Sequence, residues 1–221
     1  MNATERLLAD SKDIWDLYYM HPFILGLQNG DLDPDKFRFY ILQDYLYLEE
    51  YAKVFAVGVA KAKSHELMQT FSGILTAITH VEMNLHNGYM GKFNVKPDEL
   101  GNSARSLDNL SYTSYMLRVA YEAGEVEILA AILSCAISYE YIANNIVKNN
   151  PKATEHELYG EWVSCYSGEE YAANNRSLTE TFNRLAADYS DKQMAELSEI
   201  FRRCSQYELD FWEMGWNKAM V

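Results

Sequence analysis

Ile128-Leu129-Ala130-Ala131-Ile132-Leu133-Ser134-Cys135-Ala136-Ile137-Ser138-Tyr139 is a run of twelve residues without a single charge. No strand-like alternation surrounds it, and the pattern predicts a helix from Val126 to Asn149, stopped by Asn150 and Pro151. A helix that is apolar on every side must be covered on every side, so the rest of the chain has to wrap it with further helices. The uncharged run is too short to cross a bilayer, which takes about 20 apolar residues.

Working outward, Asp33 caps a helix whose first position is taken by Pro34 and which runs to Lys61. Ser64 opens the next, running toward Lys92 and stopping before Pro97. Ser111 opens another that ends at Gly124. Two more precede a last helix capped by Ser190 and running to about Ala219. About seven or eight helices in all give an all-α, multi-helix bundle. With 11 Gly, 4 Pro and no Ser/Gly-rich linker in 221 residues, residues 1–221 read as one domain.

The formal net charge of −13 argues against a nucleic-acid partner, because a phosphate backbone selects basic surfaces. Met1 to Trp15 carries Glu5, Arg6, Asp10, Lys12 and Asp13, which leaves no apolar core for a signal peptide. A cytoplasmic protein with no membrane partner is expected. The cysteines, Cys135, Cys165 and Cys204, are odd in number and show neither disulfide pairing nor zinc-ligand spacing.

Several helical segments carry groups capable of chemistry. Asp44 and Tyr47 stand three apart on an otherwise apolar face, where a carboxylate needs a partner: the paired edge of an aminopyrimidine, or else a lysine or neighbouring tyrosine. Cys135 and Tyr139 stand four apart. Taken alone, Cys135 is an ordinary core thiol, since apolar burial raises a thiol pKa and no His or Lys lies near it in sequence. Glu208, three before Phe211, is either a general acid among aromatics or a solvated helix charge. Tyr112 and Tyr166 are wall residues or plain core aromatics. His80, Glu82 and His86 fall on one helix, but two or three ligands without matching Glu and Glu-x-x-His pairs elsewhere do not build a di-iron centre. No metal and no cofactor are expected.

Taken in order, His21-Pro22-Phe23, Leu42-Gln43-Asp44 with Tyr47, Glu82 with His86, Ser111-Tyr112-Thr113, Cys135 with Tyr139, Trp162 with Tyr166, and Tyr207-Glu208 with Phe211-Trp212 resemble the TenA family of thiaminase II type. The resemblance covers nearly the whole chain, and Cys135 places it with the cysteine-bearing type. It implies a haem-oxygenase-like helical fold and hydrolysis of a C–N bond on an aminopyrimidine or on thiamine. By that resemblance Cys135 is the nucleophile and Glu208 moves a proton at the ring. Asp44 holds the amino edge, Tyr47, Tyr112, Tyr139 and Phe211 shape the pocket, and Tyr166 adds a polar contact. A homotetramer is also implied; in the chain itself, Phe211, Trp212, Met214 and Trp216 spread around the last helix as if a second subunit were needed to cover them. The competing classes are a metal-dependent oxidase of the same fold and a non-enzymatic regulator.

Overall fold

The computed structural model describes residues 1–221, Pro97 by its backbone alone. Among the described residues there are twelve α-helices and no strand. They are α1 (Ala3–Asp10), α2 (Lys12–Tyr18), α3 (Pro22–Asn29), α4 (Pro34–Lys61), α5 (His65–Ala77), α6 (Met83–Lys92), α7 (Pro97–Gly101), α8 (Leu107–Glu122), α9 (Glu125–Asn149), α10 (Gly160–Tyr166), α11 (Glu169–Leu185) and α12 (Asp191–Asn217). A π-helical turn, Ile78–Glu82, joins α5 to α6, and a 3₁₀ turn, Pro151–Glu155, follows α9. The helix count exceeds expectation because short helices at the N-terminus and after Lys96 leave little periodic signal, and because the π-helical turn divides the single helix expected from Ser64 toward Lys92.

The uncharged run becomes α9, which packs against α3, α4, α8, α10, α11 and α12. Ile128 to Leu133 are fully enclosed. The whole of α9 is long and apolar enough to cross a membrane, yet most of it is buried inside the protein, the situation of a core helix. Truncating one of its enclosed leucines to alanine costs about 2–5 kcal/mol, because the lost contacts leave a cavity.

The helix starts at Asp33, Ser64 and Ser190 are as expected: each side chain accepts a backbone N–H of the first turn. The start at Ser111 is not. Helix α8 begins at Leu107, capped by Ser106, whose hydroxyl accepts from Asn109 N at 3.1 Å. Buried Gln43 on α4 decides this. It accepts from Ser106 N and donates to Ala104 O, while Asn109 Nδ2 donates to its backbone carbonyl. The Gln43 of the sequence pattern thus clamps the start of α8 to α4 and sets where Tyr112 stands. Gly58 has a packing reason as well, since a Cβ there would meet the Phe71 ring of α5 at 2.9 Å.

His21 caps α3. Its Nδ1 accepts from Phe23 N at 3.2 Å, which leaves the proton on Nε2, 3.0 Å from Glu213. Burial holds this ring below the usual histidine range, in keeping with a neutral cap. The last helix needs no second subunit for the reason expected: Phe211, Trp212 and Met214 are buried within their own chain, and Lys36 lies 3.1 Å over the Trp216 ring. The expectation drawn from that apolar spread is corrected accordingly.

Candidate active site

Five helices bring the expected residues together. From α4 come Asp44 and Tyr47, from α8 Tyr112, from α9 Cys135 and Tyr139, and from α12 Glu208 and Phe211; Tyr166 closes α10. All are buried. Their helical spacings explain the convergence, because residues three or four apart project to the same side.

The thiol and the acid form one half of the site. Tyr112 donates to Glu208 Oε1 at 2.9 Å, and Ser134 Oγ lies 3.2 Å from the same phenol oxygen. Burial pushes the Glu208 carboxyl up to about 8, against the hydrogen bonds from Tyr112 and Cys135, so it is mostly protonated at neutral pH. Burial and the Glu208 charge raise the Cys135 thiol, opposed by a hydrogen bond with Tyr47. Thiol and carboxyl therefore rest together as neutral groups. Rings surround them, with Tyr47 at 5.2 Å from Tyr112 and 5.6 Å from Phe211.

Asp44 anchors the other half. Its Oδ2 accepts from Tyr40 at 2.8 Å and faces His86 Nε2 at 2.8 Å. His86 Nδ1 lies 2.8 Å from the Glu82 backbone carbonyl, which can only accept. Nδ1 therefore carries a proton, and bonding to Asp44 raises His86 against the effect of burial. Among the described residues Asp44 Oδ1 receives no hydrogen bond. That oxygen is available to a ligand. Tyr139 lies 3.2 Å from the Tyr40 hydroxyl, Trp162 Nε1 donates to that same hydroxyl, and the Tyr139 and Tyr166 rings meet at 4.8 Å.

The tyrosine alternative raised for Asp44 is therefore also present, in Tyr40, one turn before it. Tyr40 and the anchoring part of His86 escaped the sequence reading, although the four-residue step from Tyr40 to Asp44 was a usable signal. The tested metal grouping does not converge: His80 is exposed, Glu82 is half-buried, and His86 is wholly buried with both nitrogens bonded. Among the described residues no group of three or more His, Cys, Asp or Glu is disposed to hold a metal ion. The Tyr166 hydroxyl points to Glu82 Oε2 at 3.4 Å.

The profile of the TENA/THI-4/PQQC family matches residues 8–218. The chain belongs to this family. An aminopyrimidine aminohydrolase of Helicobacter pylori is 41% identical over 216 residues, covering 98% of this chain and 99% of that one. The solved structure of a TenA homologue from P. horikoshii OT3 is 30% identical with a TM-score of 0.88, covering 98% and 99% of the two chains. Haem oxygenase-1 from the cyanobacterium Synechocystis, at 13% identity and a TM-score of 0.68 over 98% of this chain and 94% of its own, shares the fold alone. The expected haem-oxygenase-like architecture and TenA membership both hold.

Proposed function

We propose that this TenA-family chain is an aminopyrimidine aminohydrolase of thiamine salvage. It hydrolyses the bond between the ring-borne methylene carbon and nitrogen, and releases hydroxymethylpyrimidine from thiamine or from its aminomethyl-pyrimidine breakdown products. The observation that carries this reading is the convergence of buried Cys135 and Glu208 among aromatic rings, with Tyr112 on Glu208 and, among the described residues, Asp44 Oδ1 left without a hydrogen bond. The full-length similarity to an aminopyrimidine aminohydrolase supports it.

The residues divide the work as follows. Asp44 takes the exocyclic amine through Oδ1, while Tyr47, Tyr112, Tyr139 and Phe211 flank the ring and Tyr166 contributes its polar edge. Glu208 gives its proton to a ring nitrogen and, now a carboxylate, receives the proton of Cys135 as sulfur bonds to the adjacent carbon. The net step adds S–H across one C=N bond, so charge in the buried pocket is only transient. The exocyclic amine then pushes an electron pair through the ring, an exocyclic C=C bond forms, and the C–N bond breaks with its electron pair leaving on nitrogen. Water adds to the methylene carbon, the exocyclic C=C pair returns through the ring to the amine nitrogen, and the surplus proton of the water passes to the departed amine or to solvent. Reversal of the first step returns the thiol and Glu208 to their resting state.

Purified protein incubated with thiamine and with the aminomethyl pyrimidine, with hydroxymethylpyrimidine sought by mass spectrometry, tests the assignment. Absence of that product from both substrates refutes it. We read residues 1–221 as one domain, cytoplasmic and homotetrameric as the resemblance implies. The exposed Leu107, Leu110, Leu17 and Met20 are apolar surface that such an assembly would cover. Light scattering near four times 25.5 kDa is expected, and the mass of one chain overturns the tetramer.

A further inference from the structure

Behind the aromatic wall lies a cavity of about 250 Å³ that the chemistry above does not use. An apolar cavity of about 150 Å³ holds a benzene ring, so there is room for a five-membered heterocycle or an alkylamine. Three of its lining residues are neighbours of the reacting groups. Tyr51 stacks on Tyr47 at 5.3 Å, Ala136 follows Cys135 in α9, and Glu82 accepts from Tyr166 at 3.4 Å. Cys135 and Ala136 each keep 5% of their surface exposed although both sit on the core helix, so this side of α9 is not sealed.

Among the described lining residues there is no Lys or Arg. The acidic groups are Glu82 within and Glu169 and Glu170 at the exposed rim, Glu169 being tied to Arg176 at 2.5 Å. Glu82 is different in kind. It is half-buried, no basic side chain is bonded to it, and burial lifts its carboxyl to about 7 even though the charge of His86, which is committed to Asp44, acts in the opposite direction. A cation placed beside it would recover the charged form.

We propose that this cavity is the subsite for the leaving half of the substrate, and that Glu82 is a specificity-determining residue that pairs with a positively charged nitrogen there. The inference rests on the hydrolase reading and adds to it the side chain that meets the positive charge of the leaving nitrogen, whether that nitrogen is a protonated amine or part of a quaternary heterocycle. The nitrogen loses its positive charge when it takes the electron pair of the broken bond. Glu82 therefore holds the substrate more firmly than the departing base, and its contribution falls on binding rather than on bond cleavage.

The test compares the wild-type chain with Glu82→Gln, first checking by circular dichroism that the variant keeps the helical fold. Thiamine, whose ring nitrogen is permanently cationic, should show a KM raised about tenfold with kcat undiminished, the loss of one partly buried charge pair that weakens as the bond breaks. In calorimetry, an N-methylthiazolium salt should bind the wild type more tightly than the neutral thiazole of the same shape, and Glu82→Gln should abolish that difference. An unchanged KM, a loss confined to kcat, or equal binding of cation and neutral ring overturns the subsite. If the wild type releases no pyrimidine at all, the hydrolase reading fails by itself, and the calorimetric comparison still decides whether the cavity selects cations.

Discussion

Replacing Glu208 by glutamine should make the protein more resistant to unfolding as pH rises, while it loses activity. Glu208 is 1% exposed and its carboxyl is pushed from 4.5 to about 8. The folded chain therefore binds a proton that the unfolded chain has released between those two values. Stability falls with rising pH across that window and is unaffected by this group below it. At 1.36 kcal/mol per unit, the cost is about 2 kcal/mol at pH 6 and about 4 kcal/mol at pH 8. A glutamine at this position does not titrate, yet it is close in shape and still offers an acceptor to Tyr112. Every other titrating group, Glu82 included, is common to both proteins and cancels in the difference. Urea unfolding at pH 6, 7 and 8 should show Glu208→Gln gaining about 2 kcal/mol on the wild type over that span, or about 4–8 °C in Tm. The same variant cannot shuttle a proton, so kcat should fall by about 10²- to 10⁴-fold. Parallel stability curves for the two proteins would show that Glu208 is ionised in the fold, and the neutral-pair mechanism would have to be abandoned.

Cys135→Ser should keep the melting temperature within a few degrees and lose pyrimidine release, since a hydroxyl is a far weaker nucleophile of similar size; near-normal turnover would exclude the covalent step. Asp44→Asn should raise KM about tenfold, because it replaces one of the amine's acceptors with an amide, and His86→Gln should move KM the same way by removing the ring that holds Asp44 Oδ2 in place. Steady-state kinetics in which either variant altered only kcat would contradict this division of roles.

The long helices were legible because their signals are local: an uncharged run for α9, Asp33-Pro34 for α4, and Ser190 for α12. The start of α8 was not, because Ser111 and Ser106 are equivalent caps on paper and the choice between them is made by Gln43, more than sixty residues away in the chain. The site follows the same division. Pairs three or four apart on one helix, such as Cys135 with Tyr139, could be read directly. Partners across helices could not: Tyr112 meeting Glu208, or His86 meeting Asp44, depends on how α8 and α6 are seated. The apolar residues of α12 misled for a related reason, since spread around a helix does not distinguish burial by neighbouring helices from burial by another subunit.

The π-helical turn at Ile78–Glu82 acts as a phase adjuster. Each residue of a helix advances the side-chain direction by about 100°, so one residue more or fewer in that turn rotates everything after it relative to everything before it. Upstream, Phe71 is keyed to Gly58; downstream, His86 is keyed to Asp44. Both locks lie on α4, and an uninterrupted α-helix would present the two residues at a different relative angle. Removal of a single residue within 78–82 would thus leave composition and hydrophobic pattern almost untouched, and would force the chain to give up either the packing of α5 or the proton held against Asp44. Chain length in this one turn is itself a determinant of the site.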